Sequence, residues 1–148
     1  MKYLDIVTYN LEHNLCPFCC MPKGFILEKS EHFFVTCARA PYIRNHLLVI
    51  PNRHVVLFNT LSWEEIQDLM KLVTKRDAVL HKKHSDVALL LRDWSIGWKG
   101  GKSVDHMHFH LIPDLEITAK DNSSGIYRKY LTEKEVLQRV ASMKKMSK

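Results

Sequence analysis

Residues 104–113 read Val-Asp-His-Met-His-Phe-His-Leu-Ile-Pro, a segment in which three imidazoles alternate with large apolar side chains. Side chains two residues apart on a β-strand share a face, so the alternation predicts a strand with one histidine face and one apolar face. The histidine face carries His106, His108 and His110. The apolar face, which we expect to anchor the strand in the core, carries Met107, Phe109 and Leu111. Such a row of imidazoles on a packed strand predicts a preorganised site.

The middle histidine of this row, His108, is the candidate nucleophile. A neutral imidazole nitrogen attacks phosphorus well when the proton on the other ring nitrogen is held in place. A neighbouring imidazole or a backbone carbonyl can hold that proton, and His108 has a histidine on either side. The alternative interpretation is a histidine-rich strand that only packs or binds metal adventitiously.

Short β-prone runs on both sides of this segment predict the remaining strands. Together with the histidine strand at 107–113, the predicted strands are 24–28, 32–37, 46–50 and 88–94. The first three strands leave no room for helices between them, which disfavours a parallel doubly wound sheet. The predicted order β-β-β-α-β-β-α therefore indicates an α+β fold, an antiparallel sheet with helices on one side.

Two capping boxes mark the predicted helices. Ser62 with Glu65 begins a helix over 62–82, and Thr132 with Glu135 begins one over 132–143. The apolar face expected for the first helix is Ile66, Leu69, Met70, Val73 and Leu80. No repeat, linker or low-complexity segment is present, so a single domain over 1–148 is expected.

Composition narrows the class of partner without choosing one. The 148 residues contain 22 Lys and Arg against 16 Asp and Glu, a formal charge of +6 that favours anionic partners such as nucleotides or nucleic acid. No apolar run approaches the roughly 20 residues of a membrane span, and no targeting segment is evident. A cytoplasmic protein with no membrane partner is therefore expected.

The histidine segment and two upstream motifs resemble those of the histidine-triad (HIT) superfamily. The segment 100–111 is similar to the signature H-φ-H-φ-H-φ-φ, in which φ is apolar, with the preceding G-x-[ST]-V. Ala40-Pro41 followed by His46-Leu-Leu-Val-Ile-Pro-Asn-Arg-His54 resembles the family's A-P-x-H-x-L-V-I-P-x-x-H, with extra residues between Pro41 and His46. Cys16-Pro-Phe-Cys19 resembles the family's opening C-x-F-C. The resemblance implies a five-stranded antiparallel sheet, one long helix, a shorter C-terminal helix and a homodimer.

The resemblance also implies roles for single residues. His108 takes the nucleotidyl group as a phosphoramidate, and His106 and His110 orient it. His46 is implied to bind nucleotide, with Ser103 as a catalytic hydroxyl at the phosphate or leaving group. Ser95, Gly101 and Lys102 are further candidates for binding nucleotide or phosphate: Gly101 lets the backbone approach the phosphates closely, and Lys102 adds positive potential. The alternative for Lys102 is a solvated loop residue. Ser95 replaces the family's common Asn or Gln, and residues 35–39 offer no clear substitute for the usual ribose-binding acidic or amide residue.

A zinc site is the second expectation. Cys16 and Cys19 have the two-residue gap that lets two thiolates bind one metal, and His54 and His106 complete four ligands. The resemblance implies the same set, because some members bind a structural zinc in these places. The alternative interpretation is that the two cysteines are small buried hydrophobes. Cys20 is expected to take no part.

Three functions are compatible with these patterns. The leading hypothesis is a nucleotide hydrolase or nucleotidyltransferase that acts on a nucleoside phosphoramidate, a dinucleoside polyphosphate or a related substrate. A nucleotide- or partner-binding HIT module with little turnover is the alternative, and the retained His108 disfavours it. A weaker third hypothesis is action on nucleic-acid ends, from the tryptophans Trp94 and Trp98 beside Lys99 and Lys102.

Overall fold

Three α-helices and five β-strands make up the part of the chain that the computed structural model describes, residues 2–93, 102–115 and 128–148. The helices are α1 (Tyr3–Glu12), α2 (Trp63–Leu80) and α3 (Glu133–Met146). The strands are β1 (Ile26–Lys29), β2 (Phe33–Cys37), β3 (Leu47–Pro51), β4 (Val87–Leu91) and β5 (Phe109–Pro113). Within these ranges no helix has the length and apolar character needed to cross a membrane.

The strands form one antiparallel sheet in the order β1-β2-β3-β5-β4. Helices α2 and α3 pack on one face, where their apolar side chains join Phe33, Val35 and Leu111 in the main core. The opposite face has a smaller apolar cluster that includes Phe34, Leu48 and Ile50. The α+β class and the five-stranded antiparallel sheet are therefore confirmed.

Helix α1 is the element that the sequence patterns missed. Its ten residues include the β-branched Ile6, Val7 and Thr8, and its N-cap residue Lys2 makes no side-chain capping hydrogen bond. Val7 is the one buried residue of this helix, and apolar side chains such as Leu11 stay exposed. Tertiary contacts hold it instead: Lys2 pairs with Lys129 in a β-bridge, and the Tyr3 ring stacks on that of Tyr130 at 6.2 Å between centroids.

The predicted histidine strand is shorter than expected, because it begins at Phe109 and leaves His106 and His108 before it. The ladder between β3 and β5 reaches only as far as Val49 and Phe109. Beyond that pair the Pro51 carbonyl accepts a hydrogen bond from the His106 ring, and the Met107 N–H donates to the Val55 carbonyl at 2.6 Å. The apolar side of the alternation was predicted correctly, since Met107 and Leu111 are fully buried.

The core face of α2 also differs from the prediction, and Ile66 is only half-buried. Its buried side chains are Glu65, Leu69, Leu72, Val73, Arg76, Val79 and Leu80. Met70, which was predicted on this face, is 48% exposed. The turn of about 100° per residue places Met70 beyond the edge of the stripe, whereas Leu72 and Val79 fall within it.

We expect Met107→Ala to lower the free energy of unfolding by about 2 to 5 kcal/mol, because it removes a fully buried side chain beneath the histidine segment and leaves a cavity. Met70→Ala, the same change at the exposed position, should alter it by less than about 0.5 kcal/mol. Denaturant unfolding monitored by circular dichroism measures both. Equal effects of the two substitutions would contradict the anchoring role of Met107.

Candidate functional site

The His108 side chain lies in a pocket on the sheet face opposite α2 and α3. Tyr3 and Asn10 of α1, Phe18, and the imidazoles of His46 and His110 line the pocket around it. The empty volume is about 930 Å³, including the part open to solvent. Residues of α1 and the segment around Phe18 thus form one wall of the pocket.

The tautomer of His108 is set by a backbone carbonyl. Its Nδ1 lies 2.7 Å from the carbonyl oxygen of His106, and because that oxygen can only accept, Nδ1 carries the proton and donates it. The Nε2 lone pair is therefore available. Burial lowers the pKa of His108 to about 4, so the ring is neutral near pH 7. His108 thus has both properties that a nitrogen nucleophile needs.

A chain of hydrogen bonds sets the tautomers of the two neighbouring imidazoles. The Tyr42 backbone N–H donates to His46 Nδ1 at 3.3 Å, so His46 carries its proton on Nε2. That nitrogen donates to His110 Nδ1 at 2.9 Å, which leaves the His110 proton on Nε2. Burial lowers the pKa of His46 to about 3 and holds that of His110 well below its usual range, so neither ring is charged.

The Nε2–H of His110 ends this chain as a buried donor. No atom in the described parts of the chain accepts a hydrogen bond from it. Its ring lies 4.8 Å from the His108 ring between centroids, in the same pocket. A buried donor without an acceptor is unfavourable on its own, so this position fits an oxygen of a bound phosphoryl group.

Ser103 lines the same pocket, where its hydroxyl hydrogen-bonds to that of Tyr3. Two side chains thus present hydroxyl groups on the side of the pocket formed by α1. Sequence analysis predicted Ser103 and missed Tyr3, because the contact joins residues a hundred positions apart and α1 itself was not predicted.

The remaining predicted phosphate-site residues lie elsewhere or outside the described residues. Lys102 is buried, and its ammonium donates to the Val56 carbonyl at 3.3 Å. Lys102 is not among the residues that line the His108 pocket in the described ranges. Because its side chain is buried, the alternative of a solvated loop residue is wrong. Ser95 and Gly101 lie outside the described residues, as do Trp94 and Trp98. Their roles stay predictions.

A second cluster lies behind the triad and joins Cys16, Cys19, His54 and His106. One ligand atom from each residue lies within 4.8 Å of all the others. Cys16 Sγ and Cys19 Sγ are 3.4 and 3.6 Å from His106 Nδ1, and Cys19 Sγ is 3.2 Å from His54 Nδ1. A tetrahedral ion with bonds of about 2.0 Å to nitrogen and 2.3 Å to sulfur separates such atoms by roughly 3.5 Å. The cluster can therefore hold a metal ion.

The hydrogen bonding of His106 fits a ligand. Its Nε2 lies 3.0 Å from the Pro51 carbonyl, to which it donates, so Nδ1 presents a lone pair toward the two sulfurs. Partial burial and the neighbouring Cys16 raise the pKa of the Cys19 thiol to about 11, as expected for thiols crowded together without a cation. Cys19 is exposed, so the alternative that both cysteines are buried hydrophobes is wrong. Cys20 is not part of the cluster.

Comparison with known proteins identifies the family. The HIT domain matches residues 22–117, well over half of the chain. The chain belongs to the HIT family. An uncharacterized HIT-like protein of Methanocaldococcus jannaschii is 31% identical over 106 residues, which cover 69% of this HIT chain and 81% of that protein.

Other relatives of this HIT protein include an enzyme and a metal-bound structure. The adenosine 5'-monophosphoramidase of Schizosaccharomyces pombe is 31% identical over 102 residues, 66% of this chain and 73% of that protein. The crystal structure of a Zn-bound histidine triad family protein from Mycobacterium smegmatis has a TM-score of 0.62 at 18% identity. That alignment covers 88% of this chain and 93% of that one, and it shows the shared fold.

We expect proton–nitrogen correlation spectra of histidine-labelled protein near pH 7 to show His108 as the Nδ1–H tautomer and both His46 and His110 as Nε2–H tautomers. The hydrogen bonds from Tyr42 and to the His106 carbonyl dictate these positions. His81, whose side chain is 44% exposed, serves as a reference outside the pocket. A charged imidazolium at His108, or its proton on Nε2, would contradict the assignment.

Proposed function

We propose that this protein is a nucleotide hydrolase or nucleotidyltransferase that works through a covalent nucleotidyl-His108 intermediate. The observation that supports it most is the tautomer of His108, since a backbone carbonyl holds Nδ1–H and leaves Nε2 free in a pocket. A relative named as an adenosine 5'-monophosphoramidase supports the reaction class. The substrate is a nucleoside phosphoramidate, a dinucleoside polyphosphate or a related compound.

The proposed reaction has two steps. His108 Nε2 attacks the phosphorus, a P–N bond forms, and the bond to the leaving group breaks with its electron pair on that group. Water then attacks the same phosphorus, the P–N bond breaks, and the water proton passes to solvent. Another nucleophile in place of water gives transfer. The His110 Nε2–H and the Ser103 hydroxyl are the donors for the phosphoryl oxygens, where they stabilise the developing charge.

The alternative is a binding module with little turnover. A module that only binds nucleotides needs no imidazole with a fixed tautomer and a free ring nitrogen, whereas a nucleophile needs both. The two hypotheses differ in the covalent adduct, which only the enzyme forms. Action on nucleic-acid ends remains the less favoured variant of the same chemistry.

We also propose that the metal of the second cluster is zinc. Two thiolates and two imidazoles are a ligand set typical of structural zinc, and four protein ligands leave no position for a catalytic water. Bound zinc would supply rigid cross-linking of the four residues. Because the His106 carbonyl orients His108, the ligand His106 connects this cluster to the nucleophile.

A homodimer and a cytoplasmic location complete the proposal, and both rest on the sequence. The edge strand β4 carries Leu89, which is 49% exposed and offers an apolar contact for a second copy. Light scattering at micromolar concentration measures the oligomeric state.

His108→Ala should abolish turnover on a panel of nucleotide substrates, because it removes the covalent route. His81→Ala changes a partly exposed histidine outside the pocket and should leave turnover unaltered. When the reaction is quenched without acid, intact-protein mass spectrometry should find a nucleotidyl adduct on the wild type and none on His108→Ala. Substantial turnover by His108→Ala would contradict the assignment of His108 as the nucleophile.

We expect about one zinc per chain by elemental analysis, because the four ligand atoms satisfy the usual coordination number. Cys16→Ser and Cys19→Ser should lose the metal and lower Tm, and a chelator should lower the Tm of the wild type. Cys20→Ser, the same change at the adjacent exposed thiol, is the matched control and should keep both. Wild-type protein that contains no zinc, and whose Tm a chelator does not change, would refute the site.

A further inference from the structure

The His108 pocket is lined by cations that the proposed chemistry has not used. Arg39, Arg92 and Arg128 all contribute to its wall, and none of the described residues that line it is an Asp or Glu. The imidazoles beside them are neutral, so the guanidinium groups supply the charge of the described wall. An apolar or singly charged ligand gives no reason for gathering several cations without a carboxylate, because like charges in one pocket repel.

Two of these arginines are fixed on Tyr42. The Arg92 Nη2 donates to the Tyr42 hydroxyl at 3.1 Å, and the Arg128 guanidinium carbon lies 3.9 Å from the centre of the Tyr42 ring. The Arg128 Nη1 donates to the Ala40 carbonyl at 2.9 Å. Since the Tyr42 N–H binds His46, this tyrosine connects the guanidinium pair to the imidazoles that flank the nucleophile.

Arg128 also has a donor that no described residue engages. Its Nε is buried and has no hydrogen-bond partner in the described residues. Its guanidinium lies 5.2 Å from the centre of the Tyr3 ring, and the hydroxyl of Tyr3 binds that of Ser103. By contrast, Arg39 makes its contacts with another segment: its Nε donates to the Leu131 carbonyl, and its guanidinium lies over the Tyr130 ring. Arg92 and Arg128 are therefore the pair placed to meet a ligand.

We infer that Arg92 and Arg128 bind the phosphates of an anionic leaving group, so that the substrates are dinucleoside polyphosphates rather than nucleoside phosphoramidates. This inference rests on the proposed function. It assigns to Tyr42 the role of a positioning residue that orients the two guanidinium groups without touching the substrate.

The chemistry of the leaving group supports this choice. When His108 Nε2 attacks, the P–N bond forms, the P–O bond breaks, and a phosphate leaves with the electron pair as an anion that needs charge stabilisation and no proton. An amine that leaves from a phosphoramidate must instead gain a proton. Arginine keeps its proton at all relevant pH values, so it cannot serve as that acid, but it binds phosphate oxygens well.

The test compares two substrates that transfer the same nucleotidyl group. Wild-type protein is assayed on diadenosine tri- and tetraphosphate and on adenosine monophosphoramidate, with guanine and uracil forms as further pairs. We expect higher kcat/KM for the polyphosphates. Arg92→Gln and Arg128→Gln should each lower kcat/KM for polyphosphates by about 10- to 100-fold, the effect of a lost charge-assisted hydrogen bond, and alter it for phosphoramidates by less than about 3-fold.

Two further variants control for charge and for folding. Arg44→Gln removes one exposed positive charge from the same loop and should leave both substrates unaffected. Tyr42→Phe keeps the ring under Arg128 and removes the hydroxyl that binds Arg92, so it should weaken polyphosphate turnover alone, by less than Arg92→Gln does. Turnover of the phosphoramidate shows in each case that the variant is folded.

The outcomes separate the two levels of the proposal. Equal losses on both substrates would show that the arginines only support the fold, and wild-type turnover of phosphoramidates alone would overturn the inference while the proposed function stands. A wild type that turns over neither class and forms no adduct on His108 overturns the proposed function and, with it, this inference.

Discussion

The hydrogen bond from His108 Nδ1 to the His106 carbonyl is the interaction on which the site depends. It works only if residue 106 cannot move, and three features hold that residue. The His106 ring donates to the Pro51 carbonyl, the next N–H binds Val55, and the Met107 side chain fills the core below. The Pro51 carbonyl at the end of β3 thus holds the His106 ring, and the segment before Phe109 does not pair as a regular strand.

Burial and neighbouring positive charges determine the protonation of the imidazoles in the pocket. Burial, with the positive charges of Arg92 and Arg128 adding to it, lowers the pKa of His46 and His110, and burial also lowers that of His108. The rings are therefore neutral hydrogen-bonding groups with assigned donors and acceptors. Fixed tautomers of this kind reduce the reorganisation needed during a reaction, because the dipoles already have their final orientation.

Sequence patterns predicted the parts of the site that rely on short-range order. The alternation at His106, His108 and His110 located the candidate nucleophile, and the C-x-x-C spacing with two family histidines located the cluster that can hold a metal. The sheet and two helices followed from periodicity and capping. The early bend before Phe109 was missed, because a histidine ring competes there for a carbonyl that the ladder would otherwise use.

The arginine and tyrosine contacts were missed for a different reason. Tyr3, Tyr42 and Arg128 meet only after the chain has folded, and none of them belongs to a periodic pattern. One local signal existed, since Tyr42 lies between Pro41 and His46, where this chain is longer than the family motif. The positions of the arginines depend on contacts between distant segments of the chain, which no short sequence pattern reveals.

The contact between Tyr3 and Arg128 joins segments that the ribosome makes at very different times. During synthesis Tyr3 of α1 cannot make this contact until the segment around residue 128 has emerged. A nascent chain can then contain the whole histidine segment and still have an open, unwalled site. On such a chain the imidazoles face bulk water, and the wall of the pocket is complete only after Arg128 has left the ribosome.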